Sequence, residues 1–408
     1  MGTKRKTLQT AAVAFAFAAV SGIAGAEERG VTDTTIKIGN IGPFTGKAAI
    51  FNPLNYGSAA YMRYINDQGG VHGRMFEIVF GDTACAEAKG IAAAKKMVHD
   101  EQVFMITVNP CSGVAMAAKP TFVQAGMPWS GVPANPKVTG STGSGGDGPP
   151  PEYMFHITPN GYFMGQTMGK FIMTKPDAKK LAIVAHTNDW ARGYCDPAKD
   201  YIESQGGEVV LDTAMERGST DATAQVLQIK AAGVDGVLGC LYQPELVVLL
   251  KDAHKYQLGL PVIGALGADF GQVVQQVGNP DAVNGIFFQG HLYKDKIGAP
   301  ALDWAKDLLL TYLTEDELPK EGDPTHFYYF GLINGIGVVE GFQRAGRDLT
   351  RESYMAAIES LRDFDTNLAA GMVTITDDQH VGMSDMFFNG LDDDGNEVIF
   401  TAYGQPLH

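Results

Sequence analysis

Residues 103–135 carry the chain's most chemically suggestive spacing. An apolar run at 103–108 (VFMITV) meets the corner Asn109-Pro110-Cys111-Ser112-Gly113, and small residues follow at 114–124. A second short apolar run and the turn from Ser130 to Ala134 come next. A corner between a strand and a helix gathers free backbone N–H groups, and a hydroxyl there adds a further hydrogen bond. Ser112 and the turn holding Ser130, Val132 and Ala134 are therefore expected to form one wall of a cradle for a carboxylate or carbonyl oxygen. The plainer reading makes Ser112 a helix cap and Ser130 a turn residue.

Patterns for other chemistry are incomplete. Residues 42–47 read G-x-x-x-G-K, one residue short of a phosphate-binding loop, with Ala48 where a Ser or Thr would hold magnesium. Neither a G-x-S-x-G elbow nor an H-E-x-x-H pair occurs. The acidic turn at 391–396 (LDDDGN) resembles part of a calcium loop but lacks its distal glutamate, and reads better as a hairpin turn. The four cysteines show no C-x-x-C spacing for zinc. Each follows an apolar run, an arrangement that favours disulfides Cys85–Cys111 and Cys195–Cys240 among the three possible connectivities. No catalytic residue, metal or cofactor is expected.

The first 26 residues read as a leader rather than as part of the fold. Lys4, Arg5 and Lys6 precede an apolar stretch at 10–20 too short to span a bilayer, and Ala24-Gly25-Ala26 is a small-x-small cleavage site. No cysteine follows that site, so no lipid anchor is indicated, and an unanchored exported protein suits a periplasm. The formal charge is −15, and loss of the leader's cations makes the mature chain more acidic still. Such a chain repels nucleic acid and anionic lipid, so neither is expected as a partner. The roughly 380 remaining residues exceed one typical core, which argues for two lobes.

The elements that must position these residues alternate. Strands at 35–41, 75–80 and 103–108 are separated by helices at 56–66 and 86–99, the pattern of a doubly wound parallel sheet. The segment 139–152 (TGSTGSGGDGPPPE) breaks the rhythm and is expected as a surface loop. Alternation restarts with helices at 162–173, 196–205, 220–231, 244–256 and 269–277, between strands at 180–185, 208–211, 236–241, 261–264 and 285–289. Helices at 301–314, 327–344 and 351–361 follow, then strands at 372–375, 383–389 and 397–403. The class is α/β, with each lobe a doubly wound and mainly parallel sheet.

With these motifs in this order, the chain resembles periplasmic substrate-binding proteins of branched-chain amino acid ABC importers. The likeness rests on IKIGNIGPFTGKAAIF (36–51), YINDQGGVHGRMFEIVFGDTAC (64–85), NPCSG (109–113), GMPWSGVPANPKVT (126–139), LAIVAHTNDWARGY (181–194) and DGVLGCLYQPE (235–245). It implies a two-lobed type I periplasmic-binding fold joined by three crossovers, near Ile157, near 289–291 and near Ile375. On that scheme 27–157 and 290–375 build the first lobe, and 158–289 and 376–408 the second. It also implies a monomer that closes on a small-molecule ligand and docks on a membrane permease. The same fold would serve a receptor feeding a membrane sensor; an exported enzyme is the remaining alternative.

Carried over residue by residue, the resemblance puts Ser112 on the ligand's carboxylate and Phe51 over the ligand. Trp190 stands where the second lobe usually offers Tyr, and Tyr242 ends a strand facing the cleft. Two departures stand out. Pro133-Ala134 replaces an Ala-Thr pair, so a hydroxyl is absent. Leu266 stands where a Glu usually takes the ammonium, with Asp269 three residues beyond. An ammonium buried without a carboxylate costs several kcal/mol. The expected ligand is thus a small acid, amide or aromatic compound, or an atypical amino acid, held among Phe51, Trp190, Tyr242 and Phe270. His186 ends a strand nearby and is expected as a satisfied buried histidine.

Overall fold

The computed structural model describes residue 2 and residues 28–407, apart from 176–177, 284, 291–300, 321, 370, 385 and 392–395. The leader, the crossover at 291 and the centre of the acidic turn at 391–396 lie outside the described residues.

The first lobe is built from β1 (Thr35–Gly42), α1 (Asn52–Asp67), β2 (Met75–Asp82), α2 (Glu87–Lys95), β3 (Met105–Val108), α3 (Ser112–Gln124), β4 (Trp129–Gly131) and β5 (Met154–Phe155). Its five strands pair in the order β2-β1-β3-β4-β5, all parallel. The second lobe alternates α4 (Gly161–Ile172), β6 (Lys180–Ala185), α5 (Asp189–Ser204), β7 (Glu208–Ala214), α6 (Thr223–Ala232), β8 (Gly236–Cys240), α7 (Gln243–Lys255), β9 (Val262–Gly264), α8 (Phe270–Val277) and β10 (Ile286–Gly290). Helices α9 (Ala301–Tyr312), α10 (His326–Ala345) and α11 (Arg351–Glu359) then return to the first lobe, where α10 lies along α1. The chain ends with β11 (Phe387–Leu391), β12 (Glu397–Thr401) and β13 (Pro406–Leu407), which extend the second sheet antiparallel from β10. That sheet runs β7-β6-β8-β9-β10-β11-β12-β13, its first five strands parallel.

Near-continuous apolar strands such as β3 and β8, buried along their whole length, suit sheets covered on both faces. In the first lobe Ile36, Ile38, Phe104 and Met105 pack under Leu332, Ile333, Phe342 and Tyr354 of the returning helices. In the second, Val184, Val237 and Val262 pack with Val226, Leu246 and Val273. The two disulfides are Cys85–Cys111 and Cys195–Cys240, with Cα atoms 5.5 and 6.2 Å apart.

Several elements differ from the sequence-based expectation. Helix α5 starts at Asp189, not at 196, because the Asn188 side chain caps it by accepting the Ala191 N–H at 3.0 Å. Trp190 therefore lies in a helical first turn, not in a loop. Residues 372–375 form no strand; Val373 makes a single bridge to Phe364. The last bridge to the first sheet is His156 with Val381, and β11 opens at Phe387, so the final passage between sheets falls beyond Ile375.

The segment 139–152 is not a plain surface loop: Thr139, Ser141 and Ser144 are buried. Ser141 donates to the Asp378 carbonyl at 2.9 Å, and the Ser144 carbonyl accepts from Asn160 Nδ2 at 2.8 Å. A β-carbon on Gly146 would lie 2.0 Å from the Gly140 carbonyl oxygen. The glycines that suggested a surface loop instead let backbone pack on backbone.

Candidate functional site

Corners that leave the C-terminal ends of parallel strands in the two sheets come into contact, and they carry several of the residues singled out by sequence. Crevices at such strand ends are where open α/β sheets hold ligands. From the first lobe, Phe51 ends the short turn before α1, and Phe327 stands in the first turn of α10. From the second, Trp190 lies at the start of α5 and Tyr242 caps α7. The Phe51 ring centre is 5.2 Å from Tyr242, 5.3 Å from Phe327 and 6.5 Å from Trp190, while Trp190 and Tyr242 are 4.6 Å apart. Val132, Ala134 and Leu266 join the same buried cluster. Aromatic faces from both lobes thus meet in one apolar contact.

Small residues let the lobes approach. The Gly161 N–H donates to the Ala134 carbonyl at 2.8 Å. A β-carbon on Gly161 would lie 2.2 Å from that oxygen, and one on Gly193 would lie 3.0 Å from the Ala134 carbonyl. Trp190 rests on Gly267, whose β-carbon would fall 2.5 Å from the indole edge.

Ser112 opens α3, and its Oγ accepts the Asn135 N–H at 3.1 Å. The hydroxyl proton stays available at a helix N-terminus that favours negative charge. Val108 and Asn109, just before it, both hold left-handed backbone (φ 69° and 66°), a conformation a β-branched residue adopts only under surrounding constraint. Trp129 Nε1 supplies one such constraint by donating to the Val108 carbonyl at 3.0 Å.

Not every residue proposed from sequence faces this cluster. Ser130 donates to Asn334 Oδ1 at 2.6 Å inside the first lobe, a bond to α10. Phe270 packs into the outer core of the second lobe, with Val226 and Leu246. His186 is buried; its Nδ1 donates to the Met215 carbonyl at 2.7 Å, and its Nε2 accepts the Tyr242 N–H at 3.1 Å. That bond steadies the corner carrying Tyr242, whose hydroxyl accepts from Asn188 Nδ2 at 3.2 Å. Burial raises the Tyr242 phenol above its ordinary value, so it remains a donor.

Asp269 is engaged twice. One oxygen accepts the Gln272 N–H at 3.0 Å and caps α8; the other accepts from His326 Nδ1 at 3.0 Å and from the His326 backbone N–H at 3.4 Å. Burial alone would raise this carboxyl, but the His326 ring and the two amides outweigh it and hold Asp269 well below the usual carboxylate range. A group depressed in the folded state contributes stability that is full above its unfolded value, about 4, and is lost as pH falls through the folded value. The melting-temperature gap between wild type and Asp269→Asn should therefore be widest near neutrality and shrink steadily below about pH 4. A gap that widened on acidification would contradict this pairing.

Sequence reading missed His326, Phe327, Gly161 and Gly193. The helix at 327–344 was legible, but nothing in its local pattern says that its first turn meets the other lobe.

The periplasmic binding protein family profile matches residues 35–396, and the chain belongs to that family. It is 27% identical over 275 residues to the leucine-, isoleucine-, valine-, threonine- and alanine-binding protein of Pseudomonas aeruginosa, covering 64% of this chain and 68% of that one. It is 26% identical to an amino acid binding protein of the same organism, covering 66% and 70%. Among solved structures, a branched-chain amino acid ABC transporter protein from Thermus thermophilus with bound valine superposes with a TM-score of 0.79 at 19% identity, over 92% of this chain and 96% of that one. A solute-binding protein from R. palustris in complex with benzoate gives 0.71 at 19% identity, over 91% and 97%. These structures establish the two-lobed type I fold. Among the described residues, no helix is long and apolar enough to cross a membrane.

Proposed function

We propose that the protein is an extracytoplasmic solute receptor of an ABC importer of the branched-chain amino acid type. It captures a small acid, amide, aromatic compound or atypical amino acid between its lobes and delivers it to a membrane permease. The observation that carries this reading is the buried contact of Phe51 and Phe327 from one lobe with Trp190 and Tyr242 from the other. Ser112 at the α3 N-terminus supplies a site for an anionic or carbonyl oxygen, and the rings supply the apolar walls. The relatives are binding proteins for amino acids, and one structural neighbour holds an aromatic acid, which agrees with such a site. Native mass spectrometry of freshly purified protein, followed by melting curves across a panel of amino acids, amides and aromatic acids, tests the proposal. A ligand-dependent rise in melting temperature is expected; no rise with any member, together with an empty cleft in the mass spectrum, would refute it.

Closure itself is testable at Gly193. A side chain there would meet the Ala134 carbonyl and the Asn135 Cα of the first lobe at 3.0 Å, whereas one at Gly161 would also strike the Gly193 carbonyl within the second lobe. Overpacking of this kind costs about 1–3 kcal/mol. Gly193→Val should therefore weaken binding about 5- to 150-fold, and X-ray scattering of the ligand-saturated variant should show a larger radius of gyration than wild type. Unchanged affinity would show that the cleft binds without this contact.

A further inference from the structure

Asp269 is the carboxylate nearest in sequence to Leu266, the position that offers no acceptor for an amine, and its free oxygen is already taken across the lobes. The donor, His326, opens α10, which packs on α1 of the first lobe, whereas Asp269 caps α8 of the second. The pair is continuous with the aromatic cluster: the His326 ring centre is 4.0 Å from Phe327, itself 5.3 Å from Phe51. Both side chains are mostly withdrawn from water, at 19% exposure for Asp269 and 13% for His326.

We infer that His326 is a specificity-determining residue: its imidazole N–H holds, from within the protein, the place on Asp269 that a ligand's ammonium would take. The inference rests on the receptor reading above and names the charge class of its ligand. Asp269 already accepts three hydrogen bonds, two of them on the oxygen that His326 holds, so an ammonium seeking that oxygen would have to displace a well-placed imidazole. Leu266 gives that ammonium nothing in exchange, so its desolvation goes uncompensated. A ligand with a carboxylate and no amine meets no such penalty, because the Ser112 corner faces its oxygen and the rings face its skeleton.

The test compares skeletons that differ only in the amine: leucine with isocaproate, and phenylalanine with hydrocinnamate, by titration calorimetry. Wild type should bind the amine-free acid of a pair at least about tenfold more tightly. His326→Ala should shrink that preference about tenfold or reverse it, whereas His326→Gln, which keeps an N–H donor, should retain most of it. Wild type preferring the amino acids, or an unchanged ratio in His326→Ala, would overturn the inference while leaving the receptor reading intact.

A ligand-independent measurement runs beside it. His326→Ala should melt lower than wild type by on the order of 5 °C. Added imidazole should restore part of that loss, and should fail to do so once Asp269→Asn is combined with it. Absence of rescue would overturn the inference even if no member of the calorimetric panel binds.

Discussion

Trp190→Ala is expected to lower stability by about 3–5 kcal/mol, the range for truncating a large buried aromatic. It should also weaken ligand capture by more than about tenfold. The indole is 6% exposed, lies 4.6 Å from Tyr242 and 5.0 Å from Tyr194 between ring centres, and covers Gly267. Its removal leaves a cavity inside the second lobe and withdraws the face that meets Phe51 of the first. The two consequences separate by measurement. Thermal unfolding reports the cavity, and calorimetry well below the melting temperature reports the lost cleft wall. Trp190→Phe should recover much of the stability and less of the affinity, since the smaller ring fills the core but stops short of Phe51. A variant that loses stability yet binds as wild type would place Trp190 in the second lobe's packing alone.

Arg351→Met should be comparably costly without touching the cleft. The guanidinium is 7% exposed and satisfies main-chain carbonyls that no strand or helix pairs. Nε donates to Phe104 at 3.0 Å, Nη2 to Val103 at 3.0 Å, and Nη1 to Ala125 at 2.9 Å and Gly126 at 3.3 Å. Glu28 Oε1 lies 3.8 Å from Nε and balances the charge. Methionine fills a similar volume but orphans these oxygens. The expected loss is about 3–5 kcal/mol, or on the order of 10 °C in melting temperature. Lysine reaches fewer of the carbonyls with its single head group, so Arg351→Lys should recover only part. Ligand affinity per folded molecule should stay near wild type, because these bonds tie the return helix α11 to the edge leading into β3. A melting loss of under about 1 kcal/mol would mean that water replaces the guanidinium.

Much of this architecture was legible in the chain. Apolar runs separated by helix-length periodic stretches announce parallel sheets, since a strand buried on both faces has no polar side to show. Cys85 and Cys111, each just after a strand, pointed to each other because corners at one edge of a sheet lie close together; the second bridge instead ties Cys195 inside α5 to Cys240 at the end of β8. The Ser112 corner could be read because it follows a strand whose end is itself recognisable, whereas Phe51 and Leu266 were singled out by the family resemblance.

Polar pairings between distant segments were not legible. Ser130 looked like a cleft hydroxyl and binds Asn334, far along the chain in α10. Asp269 stood as a candidate amine partner only if its loop were displaced, and it is held by His326. The glycine-rich segment 139–152 looked solvated and packs its backbone inside. Local sequence records which groups need partners, through helix ends, burial periodicity and charge. Which partner each group finds depends on how the return helices lie across both lobes, a long-range packing outcome that leaves no short-range pattern. The chain's own residues thus dictated two sheets and the corners that meet between them, and tertiary contact alone decided which polar groups at those corners are already engaged by the protein itself.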